Sequence, residues 1–304
     1  MTDLYEPLAT LPREQRKLLK EIGSSWSRDI HANRDLVLSI YTPIVAKASK
    51  DGVFVVRDAA YGPHARQILD LFVPQDAKNC DLAVFVHGGA FLRGNKSVNG
   101  EIYDNFCYWM ARQGIAVANL EYRLSSEAPY PAGGHDVRCA VQWCVENVAQ
   151  YGANATRIFL VGHSAGGTHV GTYLTDPVMG QAPATNVIGA VLISGRLRAD
   201  AQPDNPNAAG VRSYFGDNES RYEERSPISH AHRTSLPFLV AVAEFENPYL
   251  DVYGFEFASR CAVARGRAVD FVRLLGHNHT SMMAHFNSGE ELLGRRILHF
   301  MGAC

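Results

Sequence analysis

Two hydrophobic rhythms divide the chain. Up to about residue 50 the apolar positions recur at helical spacing. "LPREQRKLLKEIG" places Leu11, Leu18, Leu19 and Ile22 on one side, with Pro12 at the start and Gly23 at the stop. "RDIHANRDLVLSIYTPIV" sets Ile30, Val37, Tyr41 and Ile44 along one stripe, and Pro43 marks a kink or an end. Stripes this narrow cannot form a core alone, so residues 1–50 are expected to be a helical cap segment over a larger body.

From Asp51 short apolar runs alternate with helical segments. The expected strands are "GVFVVRD", "RQILDLFV", "LAVFVHG", "IAVANLEY", "RIFLVG", "VIGAVLIS", "LPFLVAVA" and "AVDFVRLL". The middle runs are continuous rather than alternating, as in parallel strands buried on both faces. "YDNFCYWMARQG", "HDVRCAVQWCVENVAQYG", "TSMMAHF" and "EELLGRRILHFM" read as helices between and after them. This alternation predicts an α/β fold over residues 51–304: a mostly parallel central sheet with flanking helices, and a site beyond the carboxyl ends of the strands. The Pro-, Asn- and Asp-rich segment 196–230 breaks the rhythm, and Tyr214 and Phe215 within it predict an ordered lid excursion at about 196–235.

Composition removes several function classes. A chain of 304 residues, 46% hydrophobic and 20% charged, with net charge −2, carries no electrostatic footprint for nucleic acid or an anionic membrane. Uncharged apolar runs fall short of the roughly 20 residues a membrane helix needs. "MTDLYEPLATLPREQRK" lacks the basic start and apolar run of a secretory leader. The six cysteines show no CxxC and the twelve histidines no ligand spacing. The expectation is a cytoplasmic protein with reduced thiols, no metal and no cofactor, and a homodimer as its candidate assembly.

"RIFLVGHSAGGTHVGTYL" carries the candidate chemistry. Gly162-His163-Ser164-Ala165-Gly166 fits G-x-S-x-G between a buried strand and a helix. That turn raises a serine hydroxyl above the sheet, while small residues two positions away let strand and helix approach. A helix-capping serine explains the same letters. "LAVFVHGGAFLRGN" adds His87-Gly88-Gly89-Ala90 after the third strand. Glycines there let backbone amides approach an oxyanion, so Gly88 and Gly89, with Ala165 after the serine, are the candidate donors. His87 is expected to shape that loop by hydrogen bonding.

Together "HGGAF", "EYRLSSEAPYPAGGHDVRCAVQWC", "GHSAGG" and "GHNH" resemble the α/β-hydrolase superfamily, and within it the hormone-sensitive-lipase-like esterases and their kynurenine formamidase relatives. "AYGPHARQILDLFVP" is similar to the opening strands of the formamidase-type carboxylesterases. The resemblance implies the chain order serine, acid, histidine. Ser164 is then the nucleophile, Glu246 in "AEFENP" the acid and His279 in "NHTS" the base, with Asp251 and Glu244 as rival acids. Ala90 stands where the lipase-like branch usually has glycine, and Glu246 where aspartate is more frequent. His277 becomes a pocket-lining or loop-bracing residue. Trp26, Phe91, Tyr103 and Phe215 are candidates for an apolar pocket, and Asp136 for a helix N-cap.

The implied activity is hydrolysis of a small carboxylic ester or aryl amide through an acyl-enzyme. N-formylkynurenine formamidase (arylformamidase) activity uses the same groups. A non-catalytic ligand-binding receptor on the hydrolase fold is the reading from another class.

Overall fold

All eight apolar runs are strands in the computed structural model, which describes residues 8–304. The first seven residues, on which the leader reading and the start of the 1–50 segment rest, lie outside the described residues. The strands are β1 (Val53–Ala60), β2 (Ile68–Pro74), β3 (Cys80–Val86), β4 (Ala116–Leu120), β5 (Ala153–His163), β6 (Val187–Ile193), β7 (Phe238–Phe245) and β8 (Asp270–Asn278). They form one sheet in the order β1-β2-β4-β3-β5-β6-β7-β8. β1 pairs with β2, and β2 with β4, antiparallel; every later pairing is parallel.

The helices are α1 (Arg13–Ser24), α2 (Ile30–Val45), α3 (Asp104–Arg112), α4 (Ala132–Asn147), α5 (Ala165–Thr175), α6 (Ala208–Phe215), α7 (Leu250–Arg265), α8 (Ser281–Ala284) and α9 (Leu292–Ala303). β3 shows why the central runs are continuously apolar. Leu82, Val84 and Val86 pack with Val137 and Val141 of α4 and Val170 of α5, while Ala83 and Phe85 face Phe106 of α3 and Ile297 of α9 on the other side. Side chains alternate across the sheet, and both faces are covered.

α1 and α2 form a separate apolar cluster around Leu19, Ile22, Trp26, Val37 and Tyr41, joined by Ile102 and Ala284. Leu18, placed on that stripe by its spacing, faces outward instead. A Cβ on Gly23 would lie 2.4 Å from a ring carbon of Phe245, so α1 sits directly on the end of β7. Pro43 interrupts neither α2 nor its register; the helix runs on to Val45.

Two helices were not foreseen. α6 lies within the irregular 196–230 segment, where a Cβ on Gly210 would fall 2.0 Å from the Ala90 carbonyl oxygen. α7 buries Tyr253, Phe257 and Cys261 and exposes Val252, Phe255 and Val263. Asp136 is no N-cap: it lies inside α4, fully buried, where its carboxylate accepts the Arg123 backbone N–H and guanidinium and the Gln67 amide. Among the described residues no helix is long and apolar enough to cross a membrane.

Candidate active site

Ser164 sits at the sharpest turn of the central strand–helix crossover. Its φ of 55° and ψ of −119° lie where L-residues are strained, and its N–H donates to the Ile193 carbonyl at 3.0 Å. The bend needs the flanking glycines. A Cβ on Gly162 would stand 2.7 Å from the Gly166 carbonyl oxygen, and one on Gly166 would be 2.0 Å from that of Val86. The serine side chain caps nothing; its Oγ lies 3.1 Å from His279 Nε2.

His279 follows the last residue of β8, and its N–H donates to the Phe245 carbonyl at 3.1 Å. Its Nδ1 is 2.8 Å from Oε2 of Glu246, the residue after β7. The other carboxylate oxygen accepts the Ala243 N–H at 2.8 Å and the Ser194 hydroxyl. Burial pushes the Glu246 carboxyl up, but the His279 charge and hydrogen bond, with the Ala243 and Ser194 donors, bring it below the ordinary carboxylate value. Neither rival acid touches the imidazole. Asp251 accepts the Val252 N–H in the first turn of α7, and Glu244 accepts the Gly276 N–H at 2.7 Å.

The glycine loop differs from expectation at one position. The Gly88 N–H is directed to the Tyr103 hydroxyl at 3.3 Å. The N–H groups of Gly89, Ala90 and Ala165 have no partner among the described residues. Gly89 cannot be replaced without rebuilding the loop, because a Cβ would fall 1.7 Å from the Arg93 carbonyl oxygen. Beneath it, His87 bonds Glu121 at 3.0 Å and the Gly88 carbonyl at 2.7 Å, and Glu121 also takes the Arg66 guanidinium and the Lys96 N–H.

A relay joins this loop to the His279 backbone. Tyr103 Oη is 3.1 Å from His163 Nδ1, and His163 Nε2 is 3.2 Å from the His279 carbonyl oxygen. A carbonyl only accepts, so the His163 proton sits on Nε2 and Nδ1 receives the Tyr103 hydroxyl. Burial, then the neighbouring His279 charge, holds His163 well below the ordinary histidine value, and burial pushes the Tyr103 phenol up to about 12. Both groups stay neutral near pH 7. No spacing in the sequence marked this relay, because its successive members lie 60 and 116 residues apart.

Above Ser164 opens a cavity of about 260 Å³. Trp26 lines it, as expected, and its Nε1 donates to the Asn247 side chain at 2.9 Å. Tyr103 lines it too, whereas Phe91 and Phe215 do not. Phe91 stacks on Tyr214 at 4.7 Å and meets Phe215 edge-on at 5.6 Å, so both phenylalanines close a dry cluster outside the cavity. His277 is fully buried, 2.7 Å from Glu290 and 3.1 Å from the Ser281 hydroxyl; it braces the loop and lines nothing. In their place α2 contributes His31, Arg34 and Leu38, and the glycine loop contributes Arg93.

Comparisons with known proteins agree with this architecture. The family model described as BD-FAE matches residues 69–175. The chain is 25% identical to "Esterase LipC" of Mycobacterium tuberculosis (strain ATCC 25618 / H37Rv), over 91% of this chain and 74% of that protein. To the "Probable isoprenylcysteine alpha-carbonyl methylesterase ICMEL1" of Oryza sativa subsp. japonica it is 28% identical over 71% of this chain, but spans only 46% of that protein's length. Among solved structures, the hyperthermophilic esterase from the archaeon Pyrobaculum calidifontis superposes with a TM-score of 0.71 at 21% identity, covering 96% of this chain and 98% of that one. The "Bacterial Heroin Esterase" superposes with a TM-score of 0.68 at 23% identity, covering 91% of each. The fold is that of the α/β hydrolases. The relatives and structural neighbours named here are esterases.

Proposed function

We propose that this chain hydrolyses small carboxylic esters, and aryl amides of similar size, through a serine acyl-enzyme. The observation that carries the reading is the unbroken line from Glu246 Oε2 through His279 to Ser164 Oγ, at 2.8 and 3.1 Å, opening into the cavity. Ser164 Oγ attacks the carbonyl carbon while His279 Nε2 takes the hydroxyl proton; Glu246 holds Nδ1–H and stabilises the imidazolium. The tetrahedral oxyanion is held by the Ala165 and Gly89 N–H groups, with Ala90 beside them and the amino end of α5 behind. Collapse breaks the bond to the alcohol or amine, which leaves with the proton from His279. A water then adds its hydroxyl to the acyl carbon while His279 takes its other proton; the bond to Ser164 Oγ breaks, His279 returns that proton to Oγ, and the acid is released.

Gly88 takes a supporting part in this mechanism, its N–H fixing Tyr103. The described part of residues 1–50 serves as one cap piece, through Trp26, Ile30, His31, Arg34 and Leu38, and the 196–235 excursion as a second, through Asn207. Substitution Ser164→Ala should lower turnover of 4-nitrophenyl acetate by on the order of 10⁶-fold. A Ser164→Ala protein, folded by circular dichroism, that still cleaves the ester near the parent rate overturns the reading.

A further inference from the structure

The cavity wall is electrically one-sided. His31, Arg34 and Arg93 line it beside Ser164, and no aspartate or glutamate lines it among the described residues. His31, Arg34 and Leu38 stand at spacings of three and four along α2, so one helix face presents both basic side chains to the cavity. Arg93 lines the same cavity from the glycine loop, where the Gly89 carbonyl accepts the Arg93 backbone N–H at 3.1 Å.

Their pairing is incomplete. Asp35 takes Nε and one terminal nitrogen of Arg34, leaving the other terminal nitrogen's donors free, and this ion pair is exposed. Arg93 makes no ion pair and no side-chain hydrogen bond among the described residues. Its guanidinium is held below the ordinary arginine value by partial burial and by the Arg34 charge, which places the two cations within each other's field. Like charges held together in the lining of one small cavity repel, and an anion between them removes that cost. Ser164 and His279 cannot supply that anion, because Glu246 is buried behind His279.

We infer that the substrate of the esterase reading above carries a carboxylate, bound between Arg93 and Arg34 while its ester lies over Ser164. The class is therefore a half-ester of a dicarboxylic acid, or an ester whose leaving group bears a carboxylate, and not a neutral alkyl ester. Arg93 offers a planar fork of donors suited to two carboxylate oxygens, and His31 adds a third donor at the mouth.

The test compares mono-4-nitrophenyl adipate with 4-nitrophenyl hexanoate, and 4-acetoxybenzoate with its methyl ester, as anionic and neutral partners. At least one anionic member should exceed its neutral partner in kcat/KM, by about tenfold, the scale of a charge-assisted hydrogen bond. That ratio should shrink as salt is raised. Arg93→Gln should lower the anionic kcat/KM about tenfold more than the neutral one, Arg93→Lys should keep most of the preference, and Arg93→Glu should reverse it. Equal losses on both partners, or neutral esters preferred in both pairs, overturn the inference. A second arm measures binding of adipate against adipamide to Ser164→Ala protein, with and without Arg93→Glu. It separates the two readings: charge-selective binding by the Ser164→Ala protein, together with no ester hydrolysis by the parent protein, would remove the esterase reading and keep the anion site. Equal binding of diacid and diamide would remove the anion site alone.

Discussion

Two serine–histidine–glutamate sets stand side by side at the end of β8. One is Ser164, His279 and Glu246; the other is Ser281, His277 and Glu290. In both the imidazole spans a hydroxyl and a carboxylate, with nearly the same distances. The ring is used in opposite senses: Nδ1 faces the carboxylate in the first, Nε2 in the second. The serines differ most. Ser164 is strained upright at the floor of a cavity, whereas Ser281 opens a regular helix, is almost fully buried, and accepts the Asn278 N–H at 2.9 Å. Residue types and partners therefore do not tell the two serines apart; backbone strain and access do.

Substitutions that treat the two sets alike sharpen the contrast. Glu246→Gln should cut turnover by roughly 10⁴-fold, because the wrong tautomer of His279 is then favoured. Glu290→Gln should leave turnover within a few-fold and lower stability by about 1–3 kcal/mol, read as a fall in the urea midpoint. A large activity loss from Glu290→Gln with no stability change would break the contrast.

Acid should distinguish the sets next. Burial pushes the Glu290 carboxyl up, but the His277 charge and hydrogen bond outweigh it and bring the group down to about 2. A carboxyl depressed on folding contributes stability that is fully present above its unfolded value near 4.5 and is lost as pH falls toward about 2. Thermal melts across that window should steepen toward acid in the parent protein and flatten in Glu290→Gln. The smallest effect belongs to Asp251→Asn. Its carboxylate only meets a neighbouring backbone N–H, so kcat/KM should change less than about twofold.

How much of this was legible follows from the same contrast between pattern and access. The strands were readable because parallel strands covered on both faces carry unbroken apolar runs, as in Leu82–Val86 of β3, Ile158–Val161 of β5 and Phe238–Ala243 of β7. Ser164, Glu246 and His279 were readable as an ordered set because each follows a strand end. α7 escaped notice because its exposed side is also apolar, so Val252, Phe255 and Val263 blur the stripe of Tyr253, Phe257 and Cys261. The cavity wall escaped because polar residues on a helix, such as His31 and Arg34, read as a solvent face. Phe91 and Phe215 misled for the converse reason: aromatic side chains find one another, and here they close a cluster rather than line a site.

Gly210 presses α6 against the Ala90 carbonyl with no room for even a methyl group. The excursion is thereby geared to the loop that would cradle the oxyanion. In this chain the insert is not a detachable accessory. A graft that reshapes which molecules enter must also reset the donors that would meet the reacting oxygen, so selectivity and rate are inherited together.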